Sequence, residues 1–356
     1  METRNLTDAG DAESPLTSET ALLKFSFLAE LLMIITILSP VWIATFSFGL
    51  VSNIINIIVF LKAVAKDNVT VLMLALAVSD LMYLCLCIPS VCSFVILGLF
   101  RSFSWPFDIQ LFRFLLYWPS VVAYDLSSFI SVSLGVIRCA CIAMPLKFKF
   151  VFTRSRTVKW VMCLVVLAVS LRLPVLTVNR ITWITDPKTN TSSARLLEVN
   201  REFMVYINDI LNRNLVIYVT FITMVTCVCV LTFKLYQASK IRRSFTSGFS
   251  QTPSQAKDKP TDQGLTAKDL QVVKSVVVVC VIFILSQLPF LLVSTTRLIE
   301  PEFDDGTRWN LLFGIFGRIS RTCSYLNASL NIFVYYNYNS KYRSVLLSFL
   351  CIKGKQ

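Results

Sequence analysis

Seven runs of predominantly apolar residues, each long enough to cross the hydrocarbon core of a bilayer, dominate this chain. They lie at about 38–63, 70–92, 114–142, 157–179, 213–238, 269–296 and 310–336. The apolar stretch Leu31–Leu38 stops at Ser39-Pro40, so it either lengthens the first run or lies at the membrane interface. Lipid offers no hydrogen bonds to the backbone, so runs of this length fold as α-helices. The third and seventh carry more polar residues, as helices in a bundle interior do. The expected fold is therefore all-α, a seven-transmembrane helix bundle.

Composition agrees. The chain is 55% hydrophobic and only 15% charged, too little polar surface for a soluble domain of 356 residues. The net charge of +13 sits between the apolar runs, where membrane topology accounts for it better than nucleic acid does. There is no Gly-rich phosphate loop and no aromatic-studded basic stretch. Histidine is absent, which removes His-based acid/base chemistry, the common catalytic triads and most zinc sites. Most of the eleven cysteines, among them Cys85, Cys87, Cys163, Cys227, Cys229, Cys280 and Cys323, fall inside apolar runs and read as small hydrophobes.

Charge decides orientation. Lys62 and Lys66 follow the first run, and Lys147, Lys149, Arg154, Arg156 and Lys159 lie between the third and fourth. Lys234, Lys240, Arg242, Arg243, Lys257, Lys259 and Lys268 lie between the fifth and sixth, and Lys341, Arg343, Lys353 and Lys355 follow the seventh. The stretch after the sixth is acidic, with Glu300, Glu302, Asp304 and Asp305. The positive-inside rule then places the N-terminus (1–37) outside and the C-terminus inside, which requires an odd number of spans. Met1 to about Thr20 lacks the basic-then-apolar order of a signal peptide, so the first span is expected to act as the insertion signal. The sequons at Asn5 and Asn190 fall on the outer side and are candidate glycosylation sites.

Residues 239–268 read as a flexible cytoplasmic loop, with hydroxyls open to kinases from 244 onward. In 337–356, Tyr342, Val345, Leu346, Phe349 and Leu350 share one helical face, which predicts a short helix on the inner leaflet. Cys351 near its end is either a lipidation site or a free thiol. No internal repeat is visible, which argues against transporters built from duplicated halves.

The polar residues inside the runs are more specific. The first has Gly49-Leu50-Val51-Ser52-Asn53, and the second has Leu76-Ala77-Val78-Ser79-Asp80. The third ends Ile137-Arg138-Cys139 before Met144-Pro145-Leu146-Lys147, and the fourth has Trp160 near its inner end. The sixth has Phe283-Ile284-Leu285-Ser286-Gln287-Leu288-Pro289. The seventh has Asn327-Ala328-Ser329-Leu330-Asn331-Ile332-Phe333-Val334-Tyr335, then Asn339-Ser340-Lys341-Tyr342-Arg343. In this order and spacing, over roughly 38–351, the chain resembles the rhodopsin-like G protein-coupled receptors. Ile137-Arg138-Cys139 with the Pro-Leu-Lys that follows, and the absent sixth-span Trp, are similar to divergent molluscan chemosensory receptors, with invertebrate peptide receptors as relatives.

The resemblance implies a receptor that binds an extracellular small molecule or peptide, a chemosensory cue or a neuropeptide. It implies signalling through a heterotrimeric G protein at the plasma membrane, with kinases, arrestin and membrane lipids as further partners and no nucleic acid. It implies a sodium ion held by Asp80, Ser127, Asn327 and Asn331; a carboxylate with hydroxyl and amide oxygens suits a hard cation. No other cofactor or metal is expected. Arg138, Phe283, Pro289 and Tyr335 carry over as coupling and switch residues. Ile137 stands where the family has an acid beside the arginine, so Asp269 at the base of the sixth span becomes the candidate partner of Arg138. Ile332 replaces a proline, Gln287 replaces a tryptophan, and the fifth span has no proline. The family's outer disulfide is missing: Arg113 stands at one position, and 180–212 contains no cysteine. That loop is expected to be more mobile than its disulfide-bearing counterparts.

Ser120, Asp125, Gln287 and Arg321 are the candidate ligand-pocket residues. Ser120 stands where amine receptors keep an aspartate, which disfavours a biogenic amine. Arg113, Arg297, Arg318 and Arg321 gather at the outer ends, and Arg321 lies inside the seventh span, where a guanidinium suits a carboxylate or a peptide C-terminus. Alternatively Arg321 pairs internally with Asp125, Glu300 or Glu302, or Asp125 receives a cationic ligand group. Two other classes stay open: a ligand-gated channel of opposite membrane orientation, and a membrane-embedded enzyme using Asp80 and Asp125.

Overall fold

A computed structural model describes residues 32–63, 68–99, 108–143, 152–185, 192–198, 201–248 and 267–350. Seven long helices form a bundle: α1 (Ser39–Ala63), α2 (Asn68–Leu99), α3 (Ile109–Ala143), α4 (Arg154–Val178), α5 (Val216–Gly248), α6 (Ala267–Ile299) and α7 (Asn310–Tyr338), followed by a short α8 (Ser340–Leu350). The bundle inverts the pattern of a soluble protein. Its outer surface exposes Ile43, Val51, Met162, Val166, Ile222, Leu285 and Leu292, while Asn53, Asn56, Asp80, Ser127 and Asn331 are buried. Helices that shed apolar side chains into lipid and keep polar ones inside satisfy both solvents at once.

Six of the helices are long and apolar enough to cross a membrane by composition alone, and α7 is not among them. The reason is local. Along α7, Ser320, Ser324, Ser329 and Asn331 are all buried, so the helix is polar on the side that the bundle covers. α7 packs against α6 and α1, in the bundle rather than beside it. α3, the other helix expected inside, buries Ser120, Asp125, Ser127, Ser128, Ser131 and Ser133. Pro89, Pro119, Pro174 and Pro289 sit inside α2, α3, α4 and α6; neighbouring helices make such breaks tolerable in a membrane.

Several boundaries differ from the sequence expectation. The stretch before the first span is a π-helical turn, Ile34–Leu38, that lengthens α1. The fifth span begins with a helix, Arg201–Asn208, and a π-helical segment, Asp209–Leu215, before α5 proper. α5 continues to Gly248, so 239–248 is helix where a flexible loop was expected. The rest of that loop, the N-terminal segment with Asn5, the sequon at Asn190 and Cys351 lie outside the described residues. The outer loop contains a hairpin absent from the all-helical reading. β1 (Asn179–Thr185) pairs antiparallel with β2 (Ser192–Glu198), with Asn179 opposite Glu198 and Thr185 opposite Ser192.

α8 is the short helix expected after the seventh span. Part of its apolar face packs on protein: Tyr342 and Leu346 are buried, and Tyr335, Tyr342 and Phe60 form a ring cluster with centroids 5.0–5.6 Å apart. The Tyr342 hydroxyl donates to Asn56 Oδ1 at 2.6 Å, and Lys62 Nζ sits 3.7 Å above the Phe349 ring. These contacts dock α8 on the inner ends of α1 and α7.

Candidate functional site

The polar core forms because three helices each bring a small polar residue to one depth. Asp80 on α2 is fully buried. Ser127 Oγ on α3 donates to Asp80 Oδ1 at 2.5 Å, and Asn331 Nδ2 on α7 donates to Oδ2 at 2.8 Å. Among the described residues no cation pairs with this carboxylate. A buried carboxylate with two hydrogen bonds and no counter-charge is costly until a proton or a cation neutralises it. The donor set fits sodium: each carboxylate oxygen has a spare lone pair, and the Ser127 hydroxyl and Asn331 carbonyl add hard oxygens. Asn327, expected in this group, is half-buried and makes no side-chain hydrogen bond among the described residues.

Close packing holds this level together. Asn53 Nδ2 bridges Gly49 O at 2.9 Å and Ala328 O at 2.8 Å, and Ser52 Oγ reaches Ser329 O at 3.1 Å. Nearer the inner end, Trp160 Nε1 donates to Ser133 Oγ at 3.0 Å, fixing α4 to α3.

At the inner end Arg138 is half-buried on α3 beside buried Ile137. Tyr335 is buried in the ring cluster with Phe60 and Tyr342, and its hydroxyl makes no hydrogen bond. Phe283 packs with Met224, Leu231, Val276 and Cys280 between α5 and α6. Pro289 lies two turns outward in α6. Asp269 sits in the first turn of α6, and its side chain is outside the described residues, as is any pairing with Arg138.

The outer half separates the candidate pocket residues. Asp125 is not open to a ligand: Arg172 on α4 donates to both its oxygens, from Nε at 2.6 Å and Nη2 at 2.9 Å. Arg172 Nη1 also reaches Asn208 Oδ1 at 3.3 Å, and Asn212 joins Asn208 at 2.9 Å and Leu171 O at 2.7 Å. The sequence reading missed Arg172, although an arginine within the fourth apolar run was a signal that a buried acid must face it. Arg297 is likewise not a pocket cation, since it pairs with Asp209 at 3.2 Å and with Asp304. With Ser294 Oγ on Arg213 O at 3.0 Å and the Tyr218–Thr295 hydroxyl pair at 2.7 Å, it clasps α5 to α6.

Arg321 pairs with neither Asp125 nor Glu300 nor Glu302, and it is solvent-accessible. Its charge acts on Tyr83, Tyr117, Tyr325 and Cys87. Ser120 is buried beside this group, where its hydroxyl donates to Tyr117 O at 2.6 Å. Gln287 is buried and approaches the Tyr124 hydroxyl, to which Ser324 Oγ donates at 3.3 Å. Tyr83 links the two sets, with ring centroids 5.1 Å from Tyr124 and 5.7 Å from Tyr325. The arrangement is an exposed cation set among tyrosines, above a sealed carboxylate and an arginine-bearing inner end.

No curated protein matches the chain. The family model described as 7 transmembrane receptor (rhodopsin family) matches residues 52–335, from Ser52 beside the α1–α7 contact to Tyr335 in the inner ring cluster. That span takes in the polar core and both ends of the bundle, and the chain belongs to the rhodopsin family of seven-transmembrane receptors.

Proposed function

We propose that this receptor binds an extracellular ligand in its outer half and activates a heterotrimeric G protein through its inner face around Arg138. One observation carries the reading. Polar and aromatic groups run from Arg321 and Tyr325 to the Asp80–Asn331 bond to Tyr335, all but Asp80 on α7. A ligand that shifts the outer end of α7 thereby acts on a buried element that reaches the inner end, which is what coupling between two sites requires.

A chemosensory cue or a neuropeptide is the ligand class proposed, with Asp80, Ser127 and Asn331 holding a sodium ion that favours the resting state. Asn5 and Asn190 are proposed as glycan sites, Cys351 as a lipid anchor, and the hydroxyls of the loop before α6 as kinase targets that recruit arrestin. No catalytic step is assigned to the chain.

The test is nucleotide exchange on purified heterotrimers of each G protein class with the receptor in bilayer discs. Exchange above that of receptor-free discs, lost in Arg138→Ala, supports the reading. Exchange that never exceeds that baseline in any class, with or without a ligand library, overturns it. Glycan mapping at Asn5 separates this reading from a channel of opposite orientation.

A further inference from the structure

Among the described residues, the charges buried in the outer half of the bundle are paired: Asp125 is taken by Arg172, and Asp209 and Asp304 by Arg297. Arg321 differs from these. It makes no hydrogen bond or ion pair among the described residues, and another cation, Arg113, lies within its electrostatic reach. A guanidinium facing lipid would have to snorkel to the interface or pair. Arg321 has instead Tyr83, Cys87, Tyr117 and Tyr325 around it, on three helices of the bundle.

Three helix faces define those surroundings. On α7, Ser324, Tyr325 and Ala328 follow Arg321 at helical spacing and are buried, so this face points into the bundle. On α3, Arg113, Tyr117 and Ser120 share one face at the same spacing. On α2, Tyr83 and Cys87 do the same, both buried. Arg321 stands one turn from Tyr325, whose ring centroid is 5.7 Å from that of Tyr83, and it keeps accessible surface, so the three faces converge on an uncovered guanidinium.

We infer that Arg321 receives the carboxylate of an extracellular ligand whose apolar or aromatic body lies against Tyr83, Tyr117 and Tyr325. The chemistry selects the class. A planar guanidinium fork binds a carboxylate through two parallel hydrogen bonds, and Arg113 adds a second positive charge without a second fork being required. The ring faces offer area for an apolar body. Ser120 donates its hydroxyl to Tyr117 O, and among the described residues no acid is found against Arg321 to receive an ammonium group. This inference rests on reading the outer cavity as the ligand site.

The carboxylate comes either from a small organic acid or from a peptide C-terminus, and one experiment separates them. The purified full-length protein is melted, by intrinsic tryptophan fluorescence, with benzoate, phenylacetate and 3-phenylpropionate, each against its primary amide. An N-acetylated Leu-Phe dipeptide is tested with free and with amidated C-terminus. At least one acid is expected to raise Tm saturably below about 10 mM where its amide does not. Arg321→Gln is expected to weaken that acid roughly tenfold or more, and Arg321→Lys to keep part of the binding. Response to the small acids alone, or to the free dipeptide alone, names the source. Equal shifts by acid and amide, no shift by any acid, or full binding in an Arg321→Gln protein with an unchanged ligand-free Tm overturns the inference. Nucleotide exchange in the same preparation keeps the two readings apart: acid-selective binding without exchange sinks the G protein reading alone, and exchange without acid selectivity sinks this one alone.

Discussion

Arg172 on α4 holds Asp125 on α3 by both carboxylate oxygens, at 2.6 and 2.9 Å, with both side chains only 9% exposed. Asn208 and Asn212 carry the network to the start of the fifth span. Three helices are therefore joined near the outer half by charge and hydrogen bonds, in a chain without the cysteine pair of its relatives.

Removing one partner of this pair leaves the other buried and uncompensated. Arg172→Gln or Asp125→Asn is therefore expected to lower stability by about 3–5 kcal/mol, whereas the double change to Met and Leu costs much less. Thermal unfolding of the four proteins in one detergent checks this. Single variants no less stable than the double variant would remove the pair from any stapling role.

Gly49 marks a close approach of α1 to α7 and α2. A Cβ built there would lie 2.3 Å from Ser329 Oγ on α7 and 2.6 Å from Leu84 Cδ1 on α2. Gly49→Ala is expected to cost about 1–3 kcal/mol by overpacking. Adding Ser329→Ala removes the nearer clash and should recover part of the loss, a non-additivity that contacting residues show. Strict additivity of the two melting shifts would place the strain elsewhere.

The bundle itself was legible because lipid imposes one rule on every span, and a run of apolar residues states it. Asp80, Ser127 and Asn331 were legible through their resemblance to the family's polar core, and hydrogen bonds bring the three together. What could not be read is partner choice across helices. Asp125 faced several arginines on paper, and only the packing of α4 on α3 selects Arg172. Asn327 lies one turn from Asn331 on the same helix yet makes no side-chain hydrogen bond among the described residues. The hairpin 179–198 was hidden for another reason. A short exposed strand pair is set by register between its own residues, which the length of an apolar run does not mark. The apolar face of α8 was legible from its helical spacing, whereas the seating of Tyr342 on Asn56 and Phe60 depends on how α1 packs beneath it.

The outer loop is held to α3 by hydrogen bonding rather than covalently, with Leu196 N directed at Asp108 Oδ2 at 3.4 Å. A contact of that length is weak. Amides of β1 and β2 are therefore expected to exchange faster than those of the equivalent loop in a disulfide-bearing relative, by hydrogen exchange with mass spectrometry. Comparable protection would show that the hairpin's own ladder suffices.

Sodium should act through Asp80 if it binds the resting arrangement better than the active one, since a ligand shifts an equilibrium only by its differential affinity. Agonist affinity is expected to fall as sodium replaces N-methylglucamine at constant ionic strength. In Asp80→Asn, where the carboxylate is gone but a hydrogen-bonding side chain remains, that dependence should disappear. Agonist affinity indifferent to the exchange of cations in the unmodified receptor would leave a proton as the neutraliser of Asp80.

Arg138 keeps its place on α3 while its sequence neighbour is Ile137, buried and unable to restrain it electrostatically. We propose that Asp269, in the first turn of α6, supplies the restraint that Ile137 cannot. A pair of this kind at a solvated helix end is worth about 0.2–1 kcal/mol. Losing it shifts a two-state equilibrium by up to roughly fivefold. Asp269→Ala is accordingly expected to raise ligand-free nucleotide exchange about two- to fivefold, and Asp269→Glu to leave it near the starting level. Ile137→Asp supplies the missing neighbour and should lower exchange in the Asp269→Ala background. Flat basal exchange in Asp269→Ala at normal surface expression would mean that α6 is held at its inner end by packing around Phe283 and Cys280 rather than by charge.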